Sequence, residues 1–231
     1  MQTGAGLHRA GRGSLTAVSW TGFSFLASRD AGRIAHMGKQ YECIDGRLRR
    51  FIESQPVYFV ATAPLAGDGH VNLSPKGRSG TLAVIDELTL AYLDFGGSQA
   101  ETVAHLRENG RITLMWCAFD GPPTVVRVHG RGEAIFRDDP RFADLLGHFG
   151  PAADGSGLRA IVLVTAERVS DSCGYAVPFM DYRSDRDLHA QYFDRKDEEE
   201  FGAYCERKPL VGTSIDGLPG IPLPLPPRPA A

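Results

Sequence analysis

Cysteine is scarce. The 231 residues hold four, Cys43, Cys117, Cys173 and Cys205, with no C-x-x-C pair and no histidine at zinc-finger spacing. This argues against a metal knuckle or a redox dithiol, and reduced thiols in a cytoplasmic protein are their simplest state. Long apolar runs are missing too: none reaches the roughly 18 residues a membrane helix needs, so a soluble protein with no membrane partner is expected. Basic charge is lacking where nucleic acid would require it. Residues 1–36 hold four arginines against Asp30, which leaves 21 basic and 27 acidic residues from Met37 onward. A body of that sign offers no groove for phosphate backbones.

What is present fits one globular domain with tails. Residues 1–36 are rich in Gly, Ser, Ala and Arg, with no sustained period. Three readings compete there: an organellar transit peptide, residues appended by an upstream start codon, and a disordered tail. The second is favoured because Met37 opens a segment that at once looks folded. The extension is therefore treated as disordered or non-native, the domain as 37–208, and 209–231, ending GLPGIPLPLPPRPAA, as a Pro-rich, polyproline-like tail.

Within the domain, Ile44, Leu48, Phe51 and Ile52 mark an amphipathic helix that Asp45 favours at its start and Pro56 stops. Seven β-rich runs follow, at 57–63, 70–74, 81–85, 88–95, 112–119, 124–136 and 160–169, with turn residues between most of them. Two helices interrupt them. One has Ser98 as expected N-cap, Glu101 in the capping-box position and Gly110 as its stop. The other opens at Asp138 or Asp139 with Pro140 in its first turn and Phe142, Leu145, Leu146 and Phe149 as its stripe. A charged segment bearing Leu188, Tyr192, Phe201 and Tyr204 suits a peripheral helix. Consecutive strands with closely spaced turns favour a closed antiparallel barrel over a βαβ sheet, whose parallel pairs need crossovers.

Three motifs over 52–136, VYFVATAPLAGDGHVNLSPKG, LTLAYLDFGGSQAETVAHLRENGRITLMWCAF and TVVRVHGRGEAI, resemble in order the flavin-binding split barrels of the pyridoxamine 5′-phosphate oxidase-like family. The resemblance implies a mainly β, Greek-key split barrel with a few peripheral helices, binding FMN between the subunits of a homodimer. It implies an FMN-dependent oxidoreductase acting on a small molecule. Asn72, Ser74 and Lys76 fall on the strand that in the family lines flavin and phosphate, and Tyr92, Asp94, Ser98 and Thr102 on the strand end and helix start. Arg127 and His129 fall on the strand that contacts the far edge of the ring.

Two departures set this chain apart from the true oxidases. Gln99, Ala100 and Glu101 follow Ser98 where an Arg-Lys pair holds the phosphate, and Trp20 and Trp116 are the only tryptophans, neither near the C-terminus. Pyridoxamine phosphate oxidation is therefore not expected, and a deazaflavin cofactor, or a non-catalytic flavin- or haem-binding role, stays open. The phosphate is expected on Lys76, Ser98, Thr102 and the N–H groups opening the helix at Gln99. Cys173, Tyr175 and Phe179, in SCGYAVPFMDY, are candidates for a substrate pocket. No metal is expected, because His70, His105 and His129 lack ligand spacing and carboxylate partners.

Overall fold

The computed structural model describes residues 38–229. The extension expected over 1–36 lies outside the described residues.

The first helix, α1 (Gly46–Ser54), forms as its pattern requires. Asp45 caps it by accepting hydrogen bonds from the N–H groups of Arg47 and Leu48, at 2.9 and 2.8 Å. Leu48 and Ile52 are fully buried. Gln55 turns extended before Pro56, as a residue preceding proline does.

Eight strands make one antiparallel sheet: β1 (Gln40–Tyr41), β2 (Val57–Thr62), β3 (Asn72–Gly77), β4 (Leu82–Val84), β5 (Thr89–Phe95), β6 (Arg111–Cys117), β7 (Val125–Phe136) and β8 (Leu158–Ser172). Their order is β3-β2-β6-β7-β8-β5-β4, with β1 on β8, so the curled sheet has free edges at β3 and β4. This is a split β-barrel with a few helices. All seven runs read from the sequence are strands, with one displacement: the run placed at 70–74 pairs as Asn72–Gly77. Pro75, which donates no ladder hydrogen bond, is tolerated because β3 is an edge.

The long strands β7 and β8 span both halves of the barrel by slipping register between His129 and Gly130. A Cβ at Gly130 would lie 2.0 Å from the Thr165 carbonyl oxygen, so only glycine lets the two backbones approach there. Inside the barrel Val60, Tyr92, Leu114, Trp116, Val128 and Val164 form the main core. Behind it, Ala91, Leu93, Ile135 and Ile161 pack on Phe142 and Phe149.

The helices depart from expectation at their ends. Helix α2 (Glu101–Asn109) begins after Ala100 with no side-chain cap, so Ser98 is not its N-cap and stands exposed on the preceding loop. The helix after Pro140 is a short α3 (Phe142–Leu146) running into a 3₁₀ segment, Gly147–Asp154; Phe142 and Phe149 are buried as the stripe requires. The charged segment folds as two helices, α4 (Leu188–Phe193) and α5 (Glu198–Glu206), and Phe193, rather than the exposed Leu188, joins Phe201 and Tyr204 in the interior.

The Pro-rich segment is also corrected: it packs. Helix α6 (Pro209–Gly212) starts it, and Val211 and Ile221 enter a cluster with Ala100, Val103, Phe201 and Cys205. Leu210 O accepts from Ala100 N–H at 2.8 Å, Glu101 Oε1 accepts from Ile215 N–H at 3.0 Å, and Arg107 donates to Gly220 O. Prolines bar helix and central strand but not burial of the apolar residues between them, and here those residues cover the start of α2. Asp216 clips the segment to the β2–β3 loop, its two oxygens taking the His70 N–H at 2.8 Å and Nδ1 at 2.6 Å.

Two outcomes follow. Ile221→Ala removes a side chain only 2 % exposed, and thermal or urea unfolding should show a loss of about 2–5 kcal/mol; a change within error would mean the segment is loosely held. The His70–Asp216 clip should be pH-dependent. Bonding to Asp216 raises His70 from 6.5, so its contribution is full below 6.5 and lost as pH rises through the raised value. Bonding to His70 lowers Asp216 from 3.8, so its contribution is full above 3.8 and lost as pH falls through the lowered value. Hydrogen exchange over 212–221 should be slowest between 3.8 and 6.5 after correction for intrinsic rates, and His70→Ala should abolish that window.

Candidate functional site

Side-chain alternation sorts the candidate residues by face. On β3, Asn72, Ser74 and Lys76 stand opposite Thr62, Val60 and Tyr58 of β2, and therefore point to the inner side of the sheet. Tyr92 and Asp94 of β5 share that side, and Thr102 reaches it from α2. Asn72 Nδ2 donates to Thr102 Oγ1 at 2.9 Å and to Thr62 Oγ1 at 3.1 Å, while Ser74 Oγ donates to Asn72 Oδ1 at 3.0 Å. Thr62 Oγ1 shares a 2.9 Å hydrogen bond with Nδ1 of the fully buried His105. A polar chain thus runs from the β3 edge to the heart of α2.

Beside it lies a charged cluster. Asp94 Oδ2 accepts from Arg159 Nε and Nη2 at 3.1 and 2.9 Å, and Arg159 Nη1 donates to Gln99 O at 3.2 Å. Both side chains are 4 % exposed. Arg159 points inward because the β5–β8 pairing slips between Asp94 and Phe95. Lys76 Nζ sits 3.4 Å from Asp94 Oδ1 and 5.6 Å from the Tyr92 ring centre. Burial, then the charge of Asp94, pushes the Tyr58 and Tyr92 phenols well above 10, so both stay protonated.

Arg127 and His129 do not join this group. They pair with Met115 and Thr113 and lie on the outer face of the sheet. Arg127 Nη1 donates to Ser172 Oγ at 2.9 Å. Burial, then Arg168 and Arg127, lowers the His129 pKa. His129 borders a shallow pocket of about 360 Å³ with Val71, Thr113 and Glu167. One ligand cannot touch Lys76 and His129 of the same chain without passing through the sheet.

A larger cavity, about 900 Å³, opens beside the inner cluster. Tyr58 and Gly77, which flank Lys76 across and along the strand, form one wall, and Leu82, Val84, Phe119 and Met180 form others. The loop after β8 contributes Met180, Asp181 and Tyr182. The expected pocket residues Cys173, Tyr175 and Phe179 stand exposed outside the lining. Among the described residues no three His, Cys, Asp or Glu side chains group to hold a metal, and no helix is long and apolar enough to cross a membrane.

Arg159 escaped the sequence reading, and His105 was weighed there only as a metal ligand. Arg159 looks like an ordinary charged flank of the apolar run AIVLV, and only the register slip turns it inward. His105 lacks ligand spacing, and its bond to Thr62 joins residues 43 positions apart that no local pattern connects. Arg159→Met strands a buried carboxylate on a lysine 3.4 Å away and should cost about 3–5 kcal/mol in urea unfolding. Lys76→Met, at a side chain 25 % exposed, should cost about 1 kcal/mol or less. Equal losses would contradict this ranking.

Residues 44–173 match the family model described as pyridoxamine 5′-phosphate oxidase. A curated relative, the pyridoxamine 5′-phosphate oxidase family protein ustO of Aspergillus flavus, is 35 % identical over 193 residues, covering 78 % of this chain and 77 % of its own. A conserved hypothetical protein from Mycobacterium tuberculosis aligns with a TM-score of 0.42 at 18 % identity, covering 61 % of this chain and 92 % of its own. An FMN-binding protein from Syntrophomonas wolfei aligns with a TM-score of 0.40 at 18 % identity, covering 52 % and 80 %. The family match spans more than half of the chain, and the curated relative covers more than three quarters of it: the chain belongs to the pyridoxamine 5′-phosphate oxidase family.

Proposed function

We propose that this protein is an FMN-dependent oxidoreductase that acts on a small molecule as a homodimer. The observation that carries the reading is the gathering of Lys76 and Arg159 around a single carboxylate, Asp94, directly below the Gly96–Gln99 loop. Two cations on one anion leave a net positive charge there, which suits a phosphate monoester. Gly97 is open, since a Cβ built on it meets nothing within 4 Å, and Ser98 is exposed. The residues fit the phosphate end of a flavin.

Bound flavin supplies hydride and electron transfer. The chain's own residues place it. Lys76 offers a point charge, Arg159 fixes the loop through Gln99 O, and the Ser74–Asn72–Thr102 chain holds the β3 edge at a set distance from α2. The adjoining cavity has room for a substrate, and its mixed lining, apolar at Leu82, Val84 and Phe119 and polar at Arg49, Ser79 and Tyr182, suits a small molecule with both kinds of surface. The dimer is favoured by the outer face. Leu73 is 65 % and Val71 74 % exposed beside half-buried Phe59 and Met115, and Arg127 and His129 reach a ligand of the Lys76 type only across a subunit boundary. Four free cysteines agree with a reducing, cytoplasmic setting.

The absorption spectrum of purified protein, with chromatography of the released chromophore, tests the reading. An oxidised-flavin double band and released FMN are expected, with light scattering giving twice the chain mass. A released deazaflavin, a haem band, or no chromophore together with no FMN binding on titration would each overturn it. Lys76→Ala should weaken FMN roughly ten- to a hundredfold and leave riboflavin, which lacks the phosphate, nearly unchanged.

A further inference from the structure

Two side chains beside the Gly96–Gln99 loop take no part in the Asp94 cluster. Arg78 follows β3 in a left-handed conformation, φ 77°, unusual for a residue with a Cβ. Thr81 fixes the turn, its N–H and Oγ1 donating to Arg78 O at 3.3 and 2.8 Å, while Asp185 Oδ2 accepts from Ser79 N–H at 2.9 Å. The turn lays the guanidinium over the Phe95 ring, 4.8 Å from its centre, with buried Nη1 meeting no acceptor. Among the described residues no carboxylate lies within 4.0 Å of it, so its charge is not neutralised in an ion pair.

His189 of α4 stands against the same ring, centre to centre 5.5 Å. Its Nε2 lies 3.0 Å from Gly96 O. A carbonyl only accepts, so Nε2 carries the proton and Nδ1, buried and without a partner, presents a lone pair. Phe95 immediately precedes Gly96, so both nitrogen-bearing groups rest on the residue that leads into the loop. Gly96 cannot be replaced in this arrangement: a Cβ there would fall 2.6 Å from the Phe193 ring.

We infer that Arg78 and His189 together form the cationic clamp on a phosphate monoester at the Gly96–Gln99 loop, from outside α2, in place of the Arg-Lys pair for which this chain has Gln99 and Ala100. The inference rests on the flavin reading only for the ligand's identity. Arg78 adds a cation with its own charge to spare. His189 adds one on demand: neutral without ligand, it takes a proton at Nδ1 when a dianion arrives, and Nδ1–H then donates to a phosphate oxygen. Burial lowers its pKa, as do Arg78 and Arg159, while the Gly96 hydrogen bond and Asp194 oppose them; Asp185 lies on the Arg78 side and Lys76 and Asp94 below the loop. A phosphate outweighs this balance by its two charges.

Arg78→Gly is the informative variant, because glycine takes φ 77° without strain and the turn survives. Fluorescence titration should show FMN weakened roughly tenfold or more with riboflavin changed less than about twofold. Calorimetry in buffers of different ionisation enthalpy should show proton uptake with FMN that His189→Gln abolishes. Unchanged FMN affinity in Arg78→Gly, or equal loss of FMN and riboflavin, overturns the clamp. Should the parent bind neither flavin, the flavin reading fails by itself, and inorganic phosphate decides: a rise in melting temperature that Arg78→Gly abolishes keeps the clamp, and no rise in the parent sinks it.

Discussion

The Asp94–Arg159 pair is the constraint from which the site is built. A carboxylate 4 % exposed must be satisfied by fixed partners, and the β5–β8 register slip turns Arg159 inward to satisfy it with two hydrogen bonds. The third arm of that guanidinium holds Gln99 O, so the loop leading to α2 takes its position from the ion pair. Lys76, drawn to the other oxygen of Asp94, brings the free β3 edge to the same point across the opening of the barrel. One buried charge thereby fixes three segments far apart in sequence.

The C-terminal segment completes this arrangement from the other side. Leu210 O takes the Ala100 N–H, and Glu101 takes that of Ile215, so the start of α2 is occupied by the chain itself. Thr102, 7 % exposed, is bonded to Asn72 and braces β3. The part of this region open to a ligand is the Gly97–Ser98 turn above Asp94, and the cations about it stand on β3, after β3 and on β8, with neutral His189 on α4. Family members with an Arg-Lys pair at the helix start carry their charge locally; here it comes from distant segments.

Much of the fold was legible. β-rich runs bounded by turn residues marked all seven named strands, including β5 and β8, which are buried on both faces, and Asp45 and Pro56 bounded α1. Asn72, Ser74 and Lys76, grouped by the family resemblance, share one face of β3, where they alternate with exposed Leu73 and Pro75. Legibility failed where tertiary contact decides. Ser98 has every local mark of an N-cap, yet α2 starts after Ala100, where Leu210 O supplies the hydrogen bond. The prolines of 209–231 suggested a polyproline-like tail because local propensity says nothing of Val211 and Ile221 entering a shared cluster. Arg127 and His129 were grouped with the flavin site by the family resemblance; alternation puts them on a common face of β7 without saying which, and it takes the register across β2 and β6 to show that this face is the outer one. Arg78 and His189, 111 positions apart by number, meet on Phe95 through folding alone.

The central claim is that a phosphate-bearing flavin binds at the inner cluster, and a crystal structure of the protein grown with FMN tests it most directly. The account predicts phosphate density over the Gly97–Ser98 turn, within hydrogen-bonding distance of Lys76 or Arg78. FMN density confined to the outer face around His129, or a Gly97–Ser98 turn without ligand at saturating FMN, would contradict it.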